Sequence, residues 1–392
     1  MSSTRLLQVG LLFAAKVMAV AAGKQCVEFN VPVPVVATNN NYTMPRVDSN
    51  IDAVQWALNF SVYDAPTPAQ RNTGSLPINE IFNINARLCV PLTKTNKSDT
   101  LQIAVQGNGW DKRYWDVEVK SAEHSYVDAA ISKGYPILMF DRIGTGKSEI
   151  PDAYEVVQVG TEVEILTQLT AMVRNGTLLK SAKVLGNGTL PEQLNPTRIV
   201  HVGHSFGSLL IAGLLIQHGD MSDAALLTGF LPNSTHLGEV MVATFEHDFA
   251  PVSDPARFGQ FPSGYIVLTS ENTLQKVYLT EDVLDPELLT YTEKIKQPEA
   301  VALYASSAQA FANPGAPFAG PVQLIAGEFD FVNCNGDCKG TYTVEGIKNS
   351  TFPGSSNVTV HLQPNTGHAL TVAKNASAGF EVMFSYLEAQ GF

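Results

Sequence analysis

Charge is scarce in this chain. Only 16% of its 392 residues are Asp, Glu, Lys or Arg, against 45% apolar, a balance that argues against global disorder and leaves ample material for a buried core. Positive charge is scarcer still: 25 Lys and Arg face 37 Asp and Glu, giving a formal net charge of −12. No basic run with interleaved aromatics is present either, so no nucleic-acid partner is expected. Apolar runs long enough to span a bilayer are missing, and the N-terminal one is short and interrupted by Lys16; no transmembrane anchor is expected. There is no internal repeat, no low-complexity tract and no retrieval signal at Gly391-Phe392.

What the N-terminus does have is an export pattern. Arg5 gives a positive start, Leu6 to Ala15 is mostly apolar, and Ala19-Val20-Ala21 offers a small-x-small cleavage site. Residues 1–21 are therefore expected to be a signal peptide. Nine Asn-x-Ser/Thr sequons, at Asn41, Asn59, Asn96, Asn175, Asn187, Asn233, Asn349, Asn357 and Asn375, point the same way. The expectation is a secreted glycoprotein of eukaryotic origin. The four cysteines, Cys26, Cys89, Cys334 and Cys338, suit two disulfides in that compartment, with three pairings possible. Proximity favours Cys334–Cys338, which leaves Cys26–Cys89. A metal site at Cys334–Cys338 is the rival; it lacks a second ligand pair nearby, and no metal is expected.

Along the chain, Val27–Thr38 carries prolines and reads as an edge strand, with Ile84–Leu92 its antiparallel partner. Short apolar runs at Leu101–Val105, Tyr135–Phe140 and Val322–Ala326 read as buried strands, and Ala224–Leu231 and Val358–Leu362 as further strands. Helical patterns alternate with them, at about Trp115–Lys133, Glu155–Arg174, Leu209–Gln217 and Ala376–Ala389. That alternation predicts an α/β architecture, a mostly parallel central sheet with helices on both faces. It fails between Pro232 and Ala316, where amphipathic patches at Leu237–Phe249 and Pro286–Ala312 suggest a helical lid. The expected division is 22–231 with 317–392 as core, and 232–316 as insertion. Most of the insertion's rings (Phe245, Phe249, Phe258, Phe261, Tyr265, Tyr278, Tyr291, Tyr304, Phe311) should pack its own interior, and a few could line an apolar chamber.

Chemistry concentrates at Arg198–Ser208. A β-type run enters Gly203-His204-Ser205-Phe206-Gly207 and a helix-competent run leaves it, the strand–turn–helix context of a nucleophile elbow. A serine hydroxyl needs a base in reach, and the base an orienting carboxylate. Downstream, Asp330 follows a strand in Gly327-Glu328-Phe329-Asp330, and its spacing favours it over Glu328 and Asp337. His368 follows the last strand; the other histidines precede the acid or lie inside a strand. Oxyanion donors are expected from the backbone N–H groups of Phe206 and Asn108, the latter after Gly107. Gly146-Lys147-Ser148 suggests a phosphate loop, but that motif needs glycine where Asp141 stands.

Four motifs in order resemble the α/β-hydrolase fold superfamily, in its lid-bearing branch of serine hydrolases: Gln106-Gly107-Asn108 with Trp115 beyond it, Asp141–Ser148, the elbow around Ser205, and the Asp330/His368 pair. The resemblance covers Leu101 to the C-terminus and is closest to secreted, fungal-type members, some of them in secondary metabolism. This chain departs from it in having Gln106 where histidine is common, and in the two-cysteine loop after Asp330. The resemblance implies hydrolysis of a carboxylic ester, lactone or thioester through an acyl-enzyme, on a small to medium apolar substrate and without a cofactor. The same groups could serve a lyase, a cofactor-free haloperoxidase, a biosynthetic cyclase or an aminopeptidase-like enzyme. A non-catalytic binding protein on the fold is the remaining alternative.

Overall fold

Apolar runs of four to seven residues build the centre of the molecule. The computed structural model describes residues 23–62, 64–192, 194–232, 245–281 and 284–392. The expected signal peptide, the Asn233 sequon and most of the Leu237–Phe249 patch lie outside the described residues. In chain order the strands are β1 (Lys24–Tyr42), β2 (Asn72–Pro91), β3 (Thr100–Val105), β4 (Ile137–Phe140), β5 (Lys183–Val184), β6 (Arg198–His204), β7 (Ala224–Thr228), β8 (His247–Phe249), β9 (Tyr265–Leu268), β10 (Glu299–Ala300), β11 (Val322–Gly327) and β12 (Val358–Gln363).

A nine-stranded sheet runs β12-β11-β7-β6-β3-β4-β2-β1-β5. From β12 through β4 neighbours are parallel; β2, β1 and β5 are added antiparallel. Apart from the edge strand β12, its parallel strands are buried on both faces, which is why they read as mostly apolar runs. The two faces separate by parity. Leu101, Ile103, Val105, Leu138, Phe140, Leu324 and Ala326 pack on one side, against Val163, Leu166 and Leu210 of the helices Val159–Arg174 and Phe206–Gln217. Ala104, Ile137, Met139, Val200, Val202 and Ile325 pack on the other, against Val127, Phe380 and Phe384 of the helices Tyr126–Ser132 and Ala376–Ala389.

The first two long strands pair antiparallel, as expected, and far beyond the expected limits; Cys26 lies directly opposite Cys89 and is bonded to it. β1 is nearly the edge, with only the two-residue β5 outside it at Phe29 and Asn30, a position that tolerates Pro32 and Pro34. The helix expected over Trp115–Lys133 is broken instead. Lys120 takes a left-handed φ of 50°, and Ser125 caps a new start by accepting from the Asp128 N–H. Within 232–316, helices do occur at Glu271–Tyr278, Pro286–Lys294 and Val301–Ser306. The stretch is not helical throughout, however: β9 is wholly buried between β8 and β10 in a three-stranded antiparallel sheet. Among the described residues, no helix is long and apolar enough to cross a membrane.

Of the described sequons, Asn41, Asn96, Asn175, Asn187 and Asn349 are exposed, whereas Asn59, Asn357 and Asn375 are half-buried. The Asn375 nitrogen, where a glycan would be joined, already donates to Pro364 O at 2.6 Å.

Candidate active site

The sheet's strand order reverses at β3. The chain leaves β3 for β4 on one side, and β6 lies on the other; crevices at such switch points, beyond the strands' carboxyl ends, are where open α/β sheets hold ligands. Four loops converge there, following β3, β6, β11 and β12.

After β6 the chain turns sharply at Ser205, with φ 52° and ψ −118°, a strained geometry that the surroundings hold in place. The Ser205 N–H and the Ser208 hydroxyl both donate to Thr228 O, at 2.8 and 2.9 Å. The turn is so tight that a Cβ on Gly203 would lie 2.6 Å from Ser208 Cα, and one on Gly207 2.2 Å from Val105 O. No side chain fits at either place. The loop after β3 presses equally close: a Cβ on Gly107 would come within 2.9 Å of Ser205 Cβ.

Ser205, His368 and Asp330 come together although 163 and 38 residues separate the bonded pairs. His368 Nε2 lies 2.8 Å from Ser205 Oγ, and His368 Nδ1 lies 2.8 Å from Asp330 Oδ2. Burial raises the Asp330 carboxyl, but the His368 imidazole and the two Asn333 donors together outweigh it and hold the group below its ordinary range. An ionised Asp330 can only accept, so Nδ1 carries the imidazole proton and Nε2 is left to accept from the serine hydroxyl. Asp330 also caps the short helix Phe331–Cys334, taking Asn333 N–H at 2.8 Å and Asn333 Nδ2 at 2.7 Å. The Cys334–Cys338 disulfide closes that helix into a small loop; the metal alternative for these cysteines is displaced by it. The competing acids face elsewhere: Glu328 pairs with Lys339 and accepts from Asn365 N–H, and Asp337 accepts from Lys339 N–H.

His204 is buried beside this arrangement, its ring stacked on Tyr114 with centroids 4.4 Å apart and 5.0 Å from the His368 ring. Thr228 Oγ1 donates to Gly203 O and so accepts from His204 Nδ1–H, leaving Nε2 bare. Burial, and then the neighbouring His368, push this imidazole's pKa well below its ordinary value. A second cation is thereby kept away from His368.

Asn108, Ser205, Phe206 and His368 share the wall of a cavity of about 240 Å³. Leu209, Phe230, Leu231, Phe311 and Val332 supply apolar surface, and Phe245, Tyr278 and Tyr304 further rings. The other insertion rings singled out above (Phe249, Phe258, Phe261, Tyr265, Tyr291) are buried away from it. A second cavity, about 380 Å³, shares Tyr278 and His368 with the first. Gln106 stays out of both. Its amide bridges the ends of β3 and β4, donating to Phe140 O and accepting from Arg142 N–H. The Asp141–Ser148 loop is likewise structural: buried Asp141 accepts from the N–H groups of Lys112 and Lys147, and Ser148 Oγ donates to Asp141 O.

No motif or spacing in the sequence marks the buried ionic cluster behind the cavity, formed by Arg142, Glu162 and Glu299. Arg142 lies within ion-pair distance of both carboxyl groups. Burial lifts Glu162 to about 8 against the pull of Arg142, with Glu299 adding to the rise. The folded-state value lies above the ordinary 4.5, so the folded chain keeps a proton that the unfolded chain releases. The stability this group contributes is full below about 4.5 and is lost as pH rises towards about 8. Thermal melts across that window should therefore fall more steeply for the wild type than for Glu162→Gln; equal slopes would refute the assignment.

No family model matches the sequence, and no curated protein matches it. Among solved structures, the chain is similar to a carboxylesterase of the ammonia-oxidizing thaumarchaeon Nitrososphaera gargenis, with a TM-score of 0.50 and 11% identity, covering 79% of this chain and 95% of that one. It is similar also to an epoxide hydrolase from Vigna radiata, with a TM-score of 0.50, 14% identity and the same coverage. At these identities the likeness is one of architecture. The chain has the α/β-hydrolase fold, a scaffold shared by enzymes of more than one hydrolytic chemistry.

Proposed function

We propose that this chain is a secreted serine hydrolase that cleaves an uncharged carboxylic ester, lactone or thioester through an acyl-enzyme. The observation that carries the reading is the pair of 2.8 Å contacts running from Ser205 through His368 to Asp330, at the mouth of an apolar cavity. Ser205 Oγ attacks the carbonyl carbon as its proton passes to His368 Nε2, and the carbonyl π pair moves onto oxygen. The resulting oxyanion meets the N–H groups of Phe206 and Asn108. Collapse breaks the bond to the leaving group, which takes the proton from His368. Water then attacks the acyl-enzyme while His368 accepts its proton, and a second collapse frees the acid and reprotonates Ser205. Asp330 stabilises the imidazolium formed in each half-reaction.

An uncharged acyl group is favoured by the lining. Among the described residues around the cavity there is no Asp, Glu, Lys or Arg. An aminopeptidase-like enzyme would need an acid for the substrate's amine, and Glu299 is already committed to Arg142 and to the Gly109 N–H. The second cavity also reaches His368, which leaves room for a leaving group or water outside the acyl chamber.

The test is a fluorophosphonate probe with mapping of the labelled residue, run beside a series of p-nitrophenyl esters of increasing acyl length. Labelling at Ser205 with turnover of uncharged esters is the expected result. Labelling without ester turnover would move the reading to lyase or cyclase chemistry, and no labelling would move it to a binding protein.

A further inference from the structure

Arg142 is fully buried, a costly place for a guanidinium unless every direction is answered. Here its partners are not scattered. Nη1 donates to Asn108 Oδ1 at 2.7 Å, and Nη2 donates to Glu299 Oε2. Nε lies 3.5 Å from Glu162 Oε2 without making a hydrogen bond to it. The guanidinium carbon sits 5.0 Å from the centre of the Phe206 ring, within the range of a cation–π contact. Glu299 turns its other oxygen to the Gly109 N–H at 2.8 Å, and Tyr278 OH donates to Asn108 O at 3.2 Å. The Asn108 side chain, the Asn108 carbonyl and the Gly109 N–H are thus all anchored. The Asn108 N–H alone makes no hydrogen bond among the described residues. Phe206 opens a helix, whose first N–H groups have no partner within it.

We propose that Arg142, held by Glu299 and Glu162, is a positioning residue that fixes the two backbone donors of the oxyanion pocket, gripping Asn108 through its side chain and Phe206 through its ring. This rests on the serine-hydrolase reading above. The cluster is suited to the task because it is nearly neutral: Glu162 retains its proton near pH 7, so one guanidinium balances one carboxylate. No net negative charge then sits behind a pocket that must receive an anion. Lysine could not replace this arginine, since one ammonium cannot span Asn108, Glu299 and the Phe206 face in a fixed plane.

The test compares full-length wild type with Arg142→Lys, Glu299→Gln and Asn108→Ala, the last keeping its N–H and losing only its anchor. The readouts are steady-state ester hydrolysis and the affinities of a trifluoromethyl ketone, which forms an oxyanion on Ser205, and of its methyl ketone counterpart. For Arg142→Lys, kcat should fall by about a hundredfold, the effect of losing one oxyanion donor, with KM changed less than about threefold. Trifluoromethyl ketone affinity should fall by the same factor as kcat, while methyl ketone affinity and the pH dependence of kcat stay unchanged. Guanidinium ion should restore part of the activity of Arg142→Ala. A role confined to stability would lower the melting temperature and leave the ratio of the two ketone affinities untouched, which overturns the proposal. Should the Arg142 variants fail to fold, Asn108→Ala decides: an unchanged ketone ratio refutes the positioning role. A wild-type protein that hydrolyses esters and binds the trifluoromethyl ketone isolates such a failure from the functional reading; one that does neither overturns both.

Discussion

Ser205→Ala is expected to remain folded and to lose ester turnover by about a millionfold, the scale seen when a nucleophile working as a unit with its base is removed. Folding should survive because the side chain's contact is with His368, while the turn itself is held by the Ser205 N–H and by Ser208. The left-handed φ is borne by alanine about as badly as by serine. His368→Ala should cost a similar factor, and the double variant little more than either alone. That lack of additivity is the discriminating part: two residues contributing independently would multiply their losses, whereas a proton-transfer pair has nothing further to lose once either is gone. Fluorophosphonate labelling should vanish from Ser205→Ala. A Ser205→Ala protein that kept a tenth of wild-type kcat/KM would sink the proposed mechanism.

The elbow could be read from the sequence because its constraints are local. Gly203 answers a contact with Ser208 inside the turn itself, and Gly207 completes the Gly-x-Ser-x-Gly pattern although what excludes its side chain is the neighbouring strand at Val105. The parallel strands were legible for another reason: burial on both faces leaves runs such as Leu101–Val105 and Val322–Ala326 apolar except for one glutamine each, with no sustained period-two alternation. Elements held by tertiary context were not. β5 and β10 are two residues each, too short for any periodicity. β9 is four residues lying in a stretch whose amphipathic patches favoured helix. The interruption of Trp115–Lys133 depends on a left-handed Lys120 that no propensity foretells.

Around the candidate site the same division holds. Ser205, Asp330 and His368 follow strands at recognisable offsets. Thr228, which ties the elbow and fixes the His204 tautomer, is an ordinary strand end in the sequence. The Arg142–Glu299 pair joins residues 157 apart, and nothing near Glu299 marks it as buried. The signal for Asn333 is a capping pattern, an acid followed three residues later by its own helix's N–H. Its signal was hidden by a helix only four residues long.

That cap gives Asp330→Asn its expected severity. Three donors face the carboxylate: Asn333 N–H on Oδ1, and Asn333 Nδ2 with His368 Nδ1–H on Oδ2. A carboxamide has one accepting oxygen and one NH₂, so it cannot answer all three. If its oxygen keeps the helix cap, the NH₂ faces His368. The imidazole must then accept at Nδ1 and carry its proton on Nε2, the nitrogen that should receive the serine's. If the oxygen turns to His368 instead, the NH₂ opposes the Asn333 N–H and the cap is lost. The first arrangement preserves the fold and inverts the tautomer. Its cost should be about ten-thousandfold in kcat at neutral pH, as for tautomer inversion in other serine triads. Fluorophosphonate labelling should slow by a comparable factor, and the melting temperature should change little. Asp330→Ala removes the wrong donor and leaves the tautomer free, so it should retain more activity than Asp330→Asn despite deleting more of the side chain. The opposite order, with asparagine the milder change, would mean that Asp330 acts chiefly as a helix cap and that another group orients His368.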